Sequence, residues 1–283
     1  MKHKKEKKFI DLEEIIRNKN PRLLKILPSF LLNKIKKVIH EKDVNDFIAR
    51  HGNKYDFDFA DAIIKDFEVT VTVDGIENIP EKGGVIMASN HPLGGFDAMV
   101  LLHAISQKRK DVKFIVNDIL LQLENLKNLF AGVNKLGKNS LELLSNIDKL
   151  YSSEMGIFIF PAGLVSRKQS GVIKDLEWKK SFVSKAKQHK KDIMPVYIDG
   201  KNSSRFYNLA LWRKRFGINA NIEMLFLVDE MYRQKGKTIS VIFDKPISHN
   251  IFDKNFTDKE WAEKIKEHVY SLASGDKSKR ISE

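Results

Sequence analysis

Residues 84–107 read GVIMASNHPLGGFDAMVLLHAISQ, and the rest of the chain is arranged around this stretch. The short apolar run at its start is typical of a buried strand, and the turn residues that follow end it. Beyond Asp97 the apolar residues recur at helical spacing, which predicts a helix to about Gln107 with Asp97 as its N-cap. Such a strand-to-helix loop would bring His91 and Asp97 together at the carboxyl end of a sheet, where open α/β folds keep their sites.

A histidine beside a carboxylate can act as a general base. An imidazole can take a proton from a hydroxyl group near neutral pH, provided that a carboxylate holds its other ring nitrogen. No cysteine or lysine lies in this loop, so the simplest reaction is direct attack by a substrate hydroxyl group that His91 activates. The alternative is structural, because Asn-His-Pro favours a turn and Asp97 would then serve only as a helix cap.

The composition indicates a globular protein of 283 residues, 42% of them hydrophobic and 10% aromatic. The sequence has no cysteine, which excludes disulfides and thiolate metal sites and fits a reducing compartment. The basic start MKHKKEKK is not followed by an apolar core, and no apolar run approaches the length of a membrane span. These features predict a cytoplasmic protein.

The net charge is strongly positive. A formal charge of +13 at pH 7 predicts attraction to a polyanion, either nucleic acid or the anionic face of a membrane. No nucleic-acid-binding motif is present, and the lysine excess is spread along the chain, so charge alone does not choose between these partners.

The first fifty residues form a helical region. Residues 9–51 are mostly helical and are divided at Pro28. Lys34, Lys36 and Lys37 flank the apolar face of the later helix, which would suit that helix to a membrane interface. The alternative is that this amphipathic helix packs on the core of its own domain.

Strand and helix patterns alternate in the remainder of the chain, which predicts an α/β fold with a mostly parallel sheet flanked by helices. The predicted strands are 67–73, 85–89, 112–116, 133–136, 156–160, 193–198 and 238–243. The predicted helices are 97–107, 119–130, 140–150, 178–189 and 256–272, whereas 225–232 fits either type. Pro195 suits a strand start or an edge. The predicted divisions are a helical extension at 1–55, an α/β domain at 56–275 and a polar tail at 276–283.

A long polar loop, PAGLVSRKQSGVIKDLEW, follows the predicted strand that ends at Phe160. Loops at the carboxyl ends of strands often carry sites, and Arg167 with Lys168 would suit this one to an anion. The alternative is a solvated loop whose charges serve solubility.

Four short motifs follow one another between residues 65 and 200. They are Asn90-His91-Pro92 with Asp97, Gly132-Val133-Asn134-Lys135, Phe160-Pro161-Ala162-Gly163 with Arg167, and Met194-Pro195-Val196. In this order they resemble the lysophospholipid acyltransferase family, which includes lysophosphatidate acyltransferase. The runs SNHPLGGFDA, FPAGLVSRK and DLEWKKSF are similar to a hemolysin-like bacterial branch, some of whose members are implicated in making glycine or ornithine lipids.

The resemblance implies a mechanism and a set of site residues. His91 would take the proton from an acceptor hydroxyl group, Asp97 would orient the ring, and the oxygen would attack an acyl thioester of coenzyme A or acyl carrier protein. Lys135 and Arg167 would hold the acceptor's anionic head, and neither a metal nor a cofactor is needed. The residues expected to bind substrate are Asn90, Gly94, Gly95, Lys135, Gly163 and Arg167.

The sequence departs from the family pattern in two places. Five residues separate His91 from Asp97 where the family usually has four, so the loop must bulge, and two glycines within it permit a bulge. The third motif has Ala162 where a glutamate is usual and Val165 where an arginine is frequent. Contacts to a glycerol-phosphate acceptor would then be missing, which favours a different acceptor.

The leading hypothesis is a membrane-associated O-acyltransferase that acts on a lysophospholipid such as lysophosphatidate. One alternative is an O-acyltransferase that completes a glycine or ornithine lipid. Others are a non-catalytic peripheral lipid-binding protein and a hydrolase that uses the same residues on water. The expected partners are an anionic membrane surface, the lysolipid and the thioester, without nucleic acid. The expected location is cytoplasmic, peripheral on the inner face of the cell membrane.

Overall fold

A computed structural model describes residues 8–117, 120–121, 123–133, 141–218, 221–253 and 255–281. The strands are β1 (Thr70–Asp74), β2 (Val85–Ser89), β3 (Val112–Asn117), β4 (Phe130–Val133), β5 (Gly156–Ile159), β6 (Arg167–Gln169), β7 (Val172–Lys174), β8 (Asp192–Asp199) and β9 (Thr238–Phe243). The helices are α1 (Leu12–Lys19), α2 (Pro21–Ile26), α3 (Ser29–Val38), α4 (Glu41–His51), α5 (Asp56–Asp66), α6 (Gly95–Ile105), α7 (Leu141–Ser152), α8 (Ser181–His189), α9 (Ser204–Arg215), α10 (Leu227–Tyr232) and α11 (Asp258–Ser274).

Seven strands form one sheet in the order β1-β9-β8-β2-β5-β3-β4, and β6 pairs with β7 in a separate hairpin. All neighbouring strands of the sheet run parallel except β8 and β9. Strand β2 is the fourth of the seven, so the loop after it leaves from the middle of the sheet. The predicted α/β fold, with a mostly parallel sheet flanked by helices and preceded by an N-terminal helical region, is confirmed.

Strand β2 is buried on both faces, which explains its unbroken apolar sequence. Val85 and Met87 belong to a core that includes residues of α5 and α6. Ile86 and Ala88 face the other core, to which α8 and α11 contribute. The two helical layers therefore pack on both faces of this strand and fix the position at which the following loop begins.

The N-terminal helices differ in how they contact the α/β domain. His40, immediately before α4, stacks on the ring of Tyr232 at 4.0 Å and contacts Asp229 through Nε2 at 3.1 Å. Helix α3 contains no buried residue, and Ile26 and Phe30 are 77% and 74% exposed. None of the described helices combines the length and the apolarity that crossing a bilayer requires.

The predicted helix at 119–130 is wrong. In the described part of this segment, residues 120–121 and Glu124–Leu126 adopt the 3-10 conformation before β4. Leu126 and Leu129 are buried, and Asn125 donates to the backbone carbonyls of Gly52 and Lys54 at 2.9 and 2.7 Å. The spacing of the apolar residues resembled that of a helix, although these residues anchor an irregular segment to the core. Strand β4 also begins earlier than the predicted 133–136, whose last three residues lie outside the described ranges.

Pro195 was predicted to lie at a strand start or at a sheet edge, and it lies at neither. It is inside β8, which has neighbouring strands on both sides. Ile193 bridges to Ile247, whereas Val196 pairs with Phe243, so two residues of β8 oppose three residues after β9. The carbonyl of Pro195 accepts from the amide of residue 244 at 3.0 Å. The missing proline N–H thus faces a bulge, where an interior strand tolerates its loss.

One further boundary differs from the predictions, one hairpin was not predicted, and one segment had been left open between helix and strand. Strand β1 begins at Thr70, because α5 and the turn after it extend into the predicted strand at 67–73. The polar loop after β5 contains the hairpin of β6 and β7, which was not predicted. The ambiguous segment at 225–232 contains the short helix α10.

Candidate active site

His91 lies in the loop that follows β2, between the ends of the neighbouring strands β5 and β8. Its side chain is 17% exposed, so the imidazole is largely enclosed but accessible. The ring stacks on the ring of Phe160, immediately after β5, with centroids 4.2 Å apart and planes 21° from parallel. This stacking fixes the plane of the imidazole.

His91 and Asp97 are in direct contact. Nδ1 of His91 is 2.8 Å from Oδ2 of Asp97, whose side chain is fully buried. An ionised carboxylate can only accept a hydrogen bond, so Nδ1 is the donor, and in the neutral ring Nε2 then carries the lone pair. That arrangement is the one that a general base requires. The two residues meet as predicted, and their catalytic roles stay predictions at this point.

Asp97 was predicted to be the N-cap of α6, and this prediction is wrong. The helix begins at Gly95 with Gly94 in the cap position, and Asp97 is its third residue. Its carboxylate turns back toward the loop and accepts from the backbone N–H of Leu93 at 3.0 and 3.2 Å. The carboxylate therefore holds the loop and His91 together instead of closing the helix end.

Gly94 accommodates the extra residue in the loop. Its φ is +76°, in the region that favours glycine, and a Cβ here would approach Leu227 and Val165 to 3.2–3.3 Å. The bulge expected from the sequence thus occurs at Gly94. A Cβ on Gly95 would meet nothing within 4 Å, so the space beside that residue is open. Binding of substrate by these two glycines stays a prediction.

Burial raises the pKa of the Asp97 carboxyl above its ordinary value, because complete removal from water penalises the charged form. The hydrogen bonds from His91 and from the Leu93 amide act in the opposite direction. A carboxylate held this way attracts the proton on Nδ1 strongly, which stabilises the imidazolium that forms when Nε2 accepts a second proton.

A second buried carboxylate, Asp175, holds the backbone of His91. Its Oδ1 accepts from the His91 N–H at 3.3 Å and from the Ser166 hydroxyl group at 2.6 Å, and Oδ2 accepts from the Trp178 indole at 2.9 Å. The Ser166 N–H in turn donates to the His91 carbonyl at 2.8 Å. The loop after β5 therefore fixes His91 from both sides. Asp175 was not predicted as a site residue, and the run DLEW that contains it is the only signal for it in the sequence.

The structure gives Asn90 a structural role, and its predicted contact with substrate stays a prediction. The Asn90 amide is buried, donates to the Ile198 carbonyl at 2.9 Å and accepts from the Ile198 N–H at 2.7 Å. Both ends of the amide thus bond the backbone of β8. Asn90 joins β2 to its neighbour and positions the residue after it.

The structure gives Arg167 a partner within the protein, and its predicted contact with the acceptor's anion stays a prediction. Its guanidinium is buried, donates to Oε1 of Glu223 at 2.9 Å and lies over the ring of Phe206 at 5.2 Å. Glu223 is fully buried and also contacts Nε of Arg213 at 2.8 Å. Arg167 therefore shares one buried carboxylate, distant in sequence, with Arg213.

The remaining predicted binding residues have different outcomes. Gly163 has a φ of +63°, and its N–H donates to the Phe160 carbonyl at 2.9 Å, so it forms the tight turn after β5. Its contact with substrate stays a prediction. Lys135 lies outside the described residues. Ala162 and Val165, the two departures from the family pattern, are buried in apolar clusters and offer no group to a phosphate.

Replacing Arg167 with alanine should therefore lower stability and leave the KM for the acceptor unchanged. Breaking a buried ion pair typically costs about 3 kcal/mol, because the remaining charge loses its partner. The free energy of unfolding and the acceptor KM should be measured together, with the exposed neighbour Lys168→Ala as the matched control. A raised acceptor KM at unchanged stability would show that Arg167 contacts the acceptor after all.

Comparison with known proteins gives four similarities. A family model described as Acyltransferase matches residues 14–277. The lyso-glycine lipid O-acyltransferase of Bacteroides thetaiotaomicron is 42% identical over 265 residues, which cover 93% of this chain and 97% of that protein. The lyso-glycine lipid O-acyltransferase of Phocaeicola vulgatus is 39% identical over 93% of this chain and 95% of its own. A crystal structure of a 1-acyl-sn-glycerophosphate acyltransferase from Thermotoga maritima is 16% identical with a TM-score of 0.48, covering 90% of this chain and 95% of that one.

Proposed function

The chain belongs to the acyltransferase family, and we propose that it moves a fatty acyl group from an acyl thioester to the hydroxyl group of a lyso-glycine lipid. The observation that carries the reaction type is the 2.8 Å contact between His91 Nδ1 and the buried Asp97 carboxylate. The acceptor is supported by the two relatives, which are similar to this chain over nearly its whole length.

The reaction begins with proton transfer to Nε2 of His91. The acceptor hydroxyl group gives its proton to Nε2 as its oxygen attacks the thioester carbonyl, and Asp97 stabilises the imidazolium that results. The tetrahedral intermediate then expels the thiolate, which takes the proton from Nε2. The products are an ester and a free thiol, and the histidine is regenerated. The thioester of coenzyme A or acyl carrier protein is already activated, so the reaction needs no metal and no bound cofactor.

The negative oxygen of the intermediate needs hydrogen-bond donors. The first amides of α6, those of Gly95 and Phe96, precede the first helical hydrogen bonds and have no intrahelical acceptor. They follow directly after the loop that carries His91, and the helix dipole adds a favourable field at this end. We assign the oxyanion to these amides.

The acceptor's head group is the feature that separates the two candidate substrates. A phosphate monoester carries nearly two charges and requires more than one cation, whereas an amino-acid carboxylate carries one. Within the described residues, the third motif offers no cation to such a group, because Arg167 is paired with Glu223 and Ala162 and Val165 are packed in apolar clusters. This supports the amino-acid lipid over lysophosphatidate.

The proposed location is the inner face of the cell membrane, with the protein bound peripherally from the cytoplasm. The acceptor carries an acyl chain and therefore resides in a bilayer. A net charge of +13 supports attraction to anionic lipids, and the exposed Ile26 and Phe30 beside the lysines of α3 support contact of the N-terminal helices with the interface.

Mass spectrometry of lipids from cells with and without the gene tests the proposed acceptor. We expect cells that lack the gene to lose the diacylated glycine lipid and to accumulate its lyso form, and wild-type but not His91→Ala protein to restore the product. Unchanged glycine lipids together with accumulated lysophosphatidate would show that lysophosphatidate is the acceptor instead.

A further inference from the structure

An exposed apolar region lies at the end of α9, in the turn after it and in the 3-10 helix at Ile222–Phe226. Five large side chains there are 43% to 66% exposed. They form what we call the aromatic surface: Leu211, Trp212, Phe216, Ile218 and Leu225. The rings of Trp212 and Phe216, one helical turn apart, stack with centroids 5.6 Å apart. Exposed apolar groups of this size in one region typically mark an interaction site.

The aromatic surface is connected to the active site through a series of contacts. Arg213 donates to the Ile218 carbonyl at 3.0 Å and pairs with Glu223, which also binds Arg167 beside the catalytic loop. On the inner side of the same segment, Phe206 and Leu227 pack with Val165. Leu227 also lies against Gly94 in the loop of His91. The segment that covers the catalytic loop on its inner side therefore carries the aromatic surface on its outer side.

The charges beside the aromatic surface favour an anionic partner. Lys214 and Arg215 are exposed in the last turn of α9, and neither has an ion-pair partner within the part of the chain that the structure describes. A second copy of the chain would bring these like charges together, which is unfavourable. Tryptophan with lysine and arginine is the combination that membrane interfaces favour, since the rings enter the headgroup layer while the cations meet lipid phosphates.

We propose that the aromatic surface docks on an anionic lipid bilayer and holds the active site at the membrane. This inference deepens the proposed function, on which it rests through the lipid nature of the acceptor. It assigns the contact to a part of the chain remote in sequence from the N-terminal helices. Both regions adjoin α10, since His40 contacts Asp229 and Tyr232 there and the 3-10 helix leads directly into it. Docking would let the acceptor reach His91 without leaving the interface.

The chain contains its own reporter for this contact. Of its three tryptophans, Trp178 and Trp261 are 1% and 7% exposed, whereas Trp212 is 61% exposed. Vesicles of phosphatidylcholine and phosphatidylglycerol should therefore shift the emission of the full-length protein to shorter wavelength, and lipids brominated on their acyl chains should quench it. The Trp212→Phe variant should still sediment with the vesicles but should lose this spectral response. Binding to vesicles without a spectral change in the wild type would overturn the proposal, as would no binding at all.

Affinity provides the second test. Replacing both Trp212 and Phe216 with alanine should weaken vesicle binding by about tenfold or more, because two large apolar groups no longer enter the interface. The matched control replaces Leu141 and Leu144, exposed leucines of α7, with alanine, and should bind as the wild type does. An equal loss in both double variants would contradict a specific role for the aromatic surface.

Two further measurements separate docking on lipid from the proposed acyl transfer and from docking on an acyl carrier protein. Acyl transfer to a detergent-dispersed acceptor should be unchanged in the Trp212 and Phe216 variant, because neither residue belongs to the catalytic machinery. If wild-type protein releases no thiol in that assay, the proposed function fails, and the vesicle data still decide the docking surface. A spectral change that appears only with an acidic acyl carrier protein and never with vesicles would assign the aromatic surface to that protein and overturn docking on lipid.

Discussion

Replacing His91 with alanine is expected to lower the rate of acyl transfer by about 10²- to 10⁴-fold, the usual contribution of a general base. No other residue described in the loop can take the proton of the acceptor hydroxyl group. The fold should stay intact, because the His91 side chain contacts Phe160 and Asp97 at the edge of the core and does not fill it. Release of free thiol from the thioester and circular dichroism should be measured on the same preparation.

His103 supplies a matched control. It lies on the same helix as Asp97, and its Nδ1 contacts a carboxylate oxygen of Asp61 at 2.7 Å, so the local chemistry is similar. It is at the other end of α6, away from the loop after β2. His103→Ala should therefore retain wild-type activity. A His91→Ala protein that keeps half of the wild-type rate would exclude His91 as the base.

Replacing Asp97 with asparagine is expected to lower the rate by about 10⁴-fold, as in other enzymes where the carboxylate behind a catalytic histidine is neutralised. Asparagine can present its NH₂ group to Nδ1, which then accepts and leaves the ring proton on Nε2. A protonated Nε2 cannot take the proton of the acceptor. The asparagine oxygen can still accept from the Leu93 N–H, so the loop should remain in place.

Stability should change in the opposite direction to activity. Burial raises the pKa of Asp97 in the folded protein above its unfolded value. Between these two pKa values the folded state binds the extra proton, so wild-type stability falls as pH rises through that interval. Asparagine is neutral at every pH and therefore does not carry the cost of burying a charged carboxylate. The stability of Asp97→Asn relative to wild type should therefore increase from acidic to neutral pH, as measured by denaturant unfolding. A variant that melts at neutral pH would show that Asp97 is chiefly structural.

The sequence was sufficient to predict the centre of the fold and the two residues that meet there. Residues 85–89 are apolar without alternation, which is typical of a strand covered on both faces, and β2 is such a strand. The spacing of His91 and Asp97, one residue longer than is usual in the family that the sequence resembles, and the glycines between them predicted a bulged loop, which the structure shows at Gly94. These features are local, so neighbouring residues are enough to indicate them.

The residues that the sequence could not place depend on partners far along the chain. Arg167 resembled a free cation in a polar loop, but Glu223 that neutralises it follows 56 residues later. Asp175 holds the backbone of His91 across 84 residues, a contact that no local pattern shows. Such pairings follow from the tertiary arrangement of loops and short elements, which the chain sequence does not state directly.

The central claim is that His91 and Asp97 activate the hydroxyl group of a lyso-glycine lipid toward an acyl thioester. The most direct measurement supplies purified protein with an acyl thioester and lyso-glycine lipid, and follows free thiol and the acylated lipid together. Our account predicts one diacylated glycine lipid for each thiol released, no release without acceptor, and loss of both products in His91→Ala. Thiol release at the same rate without acceptor, or acylation of lysophosphatidate but not of lyso-glycine lipid, would contradict it.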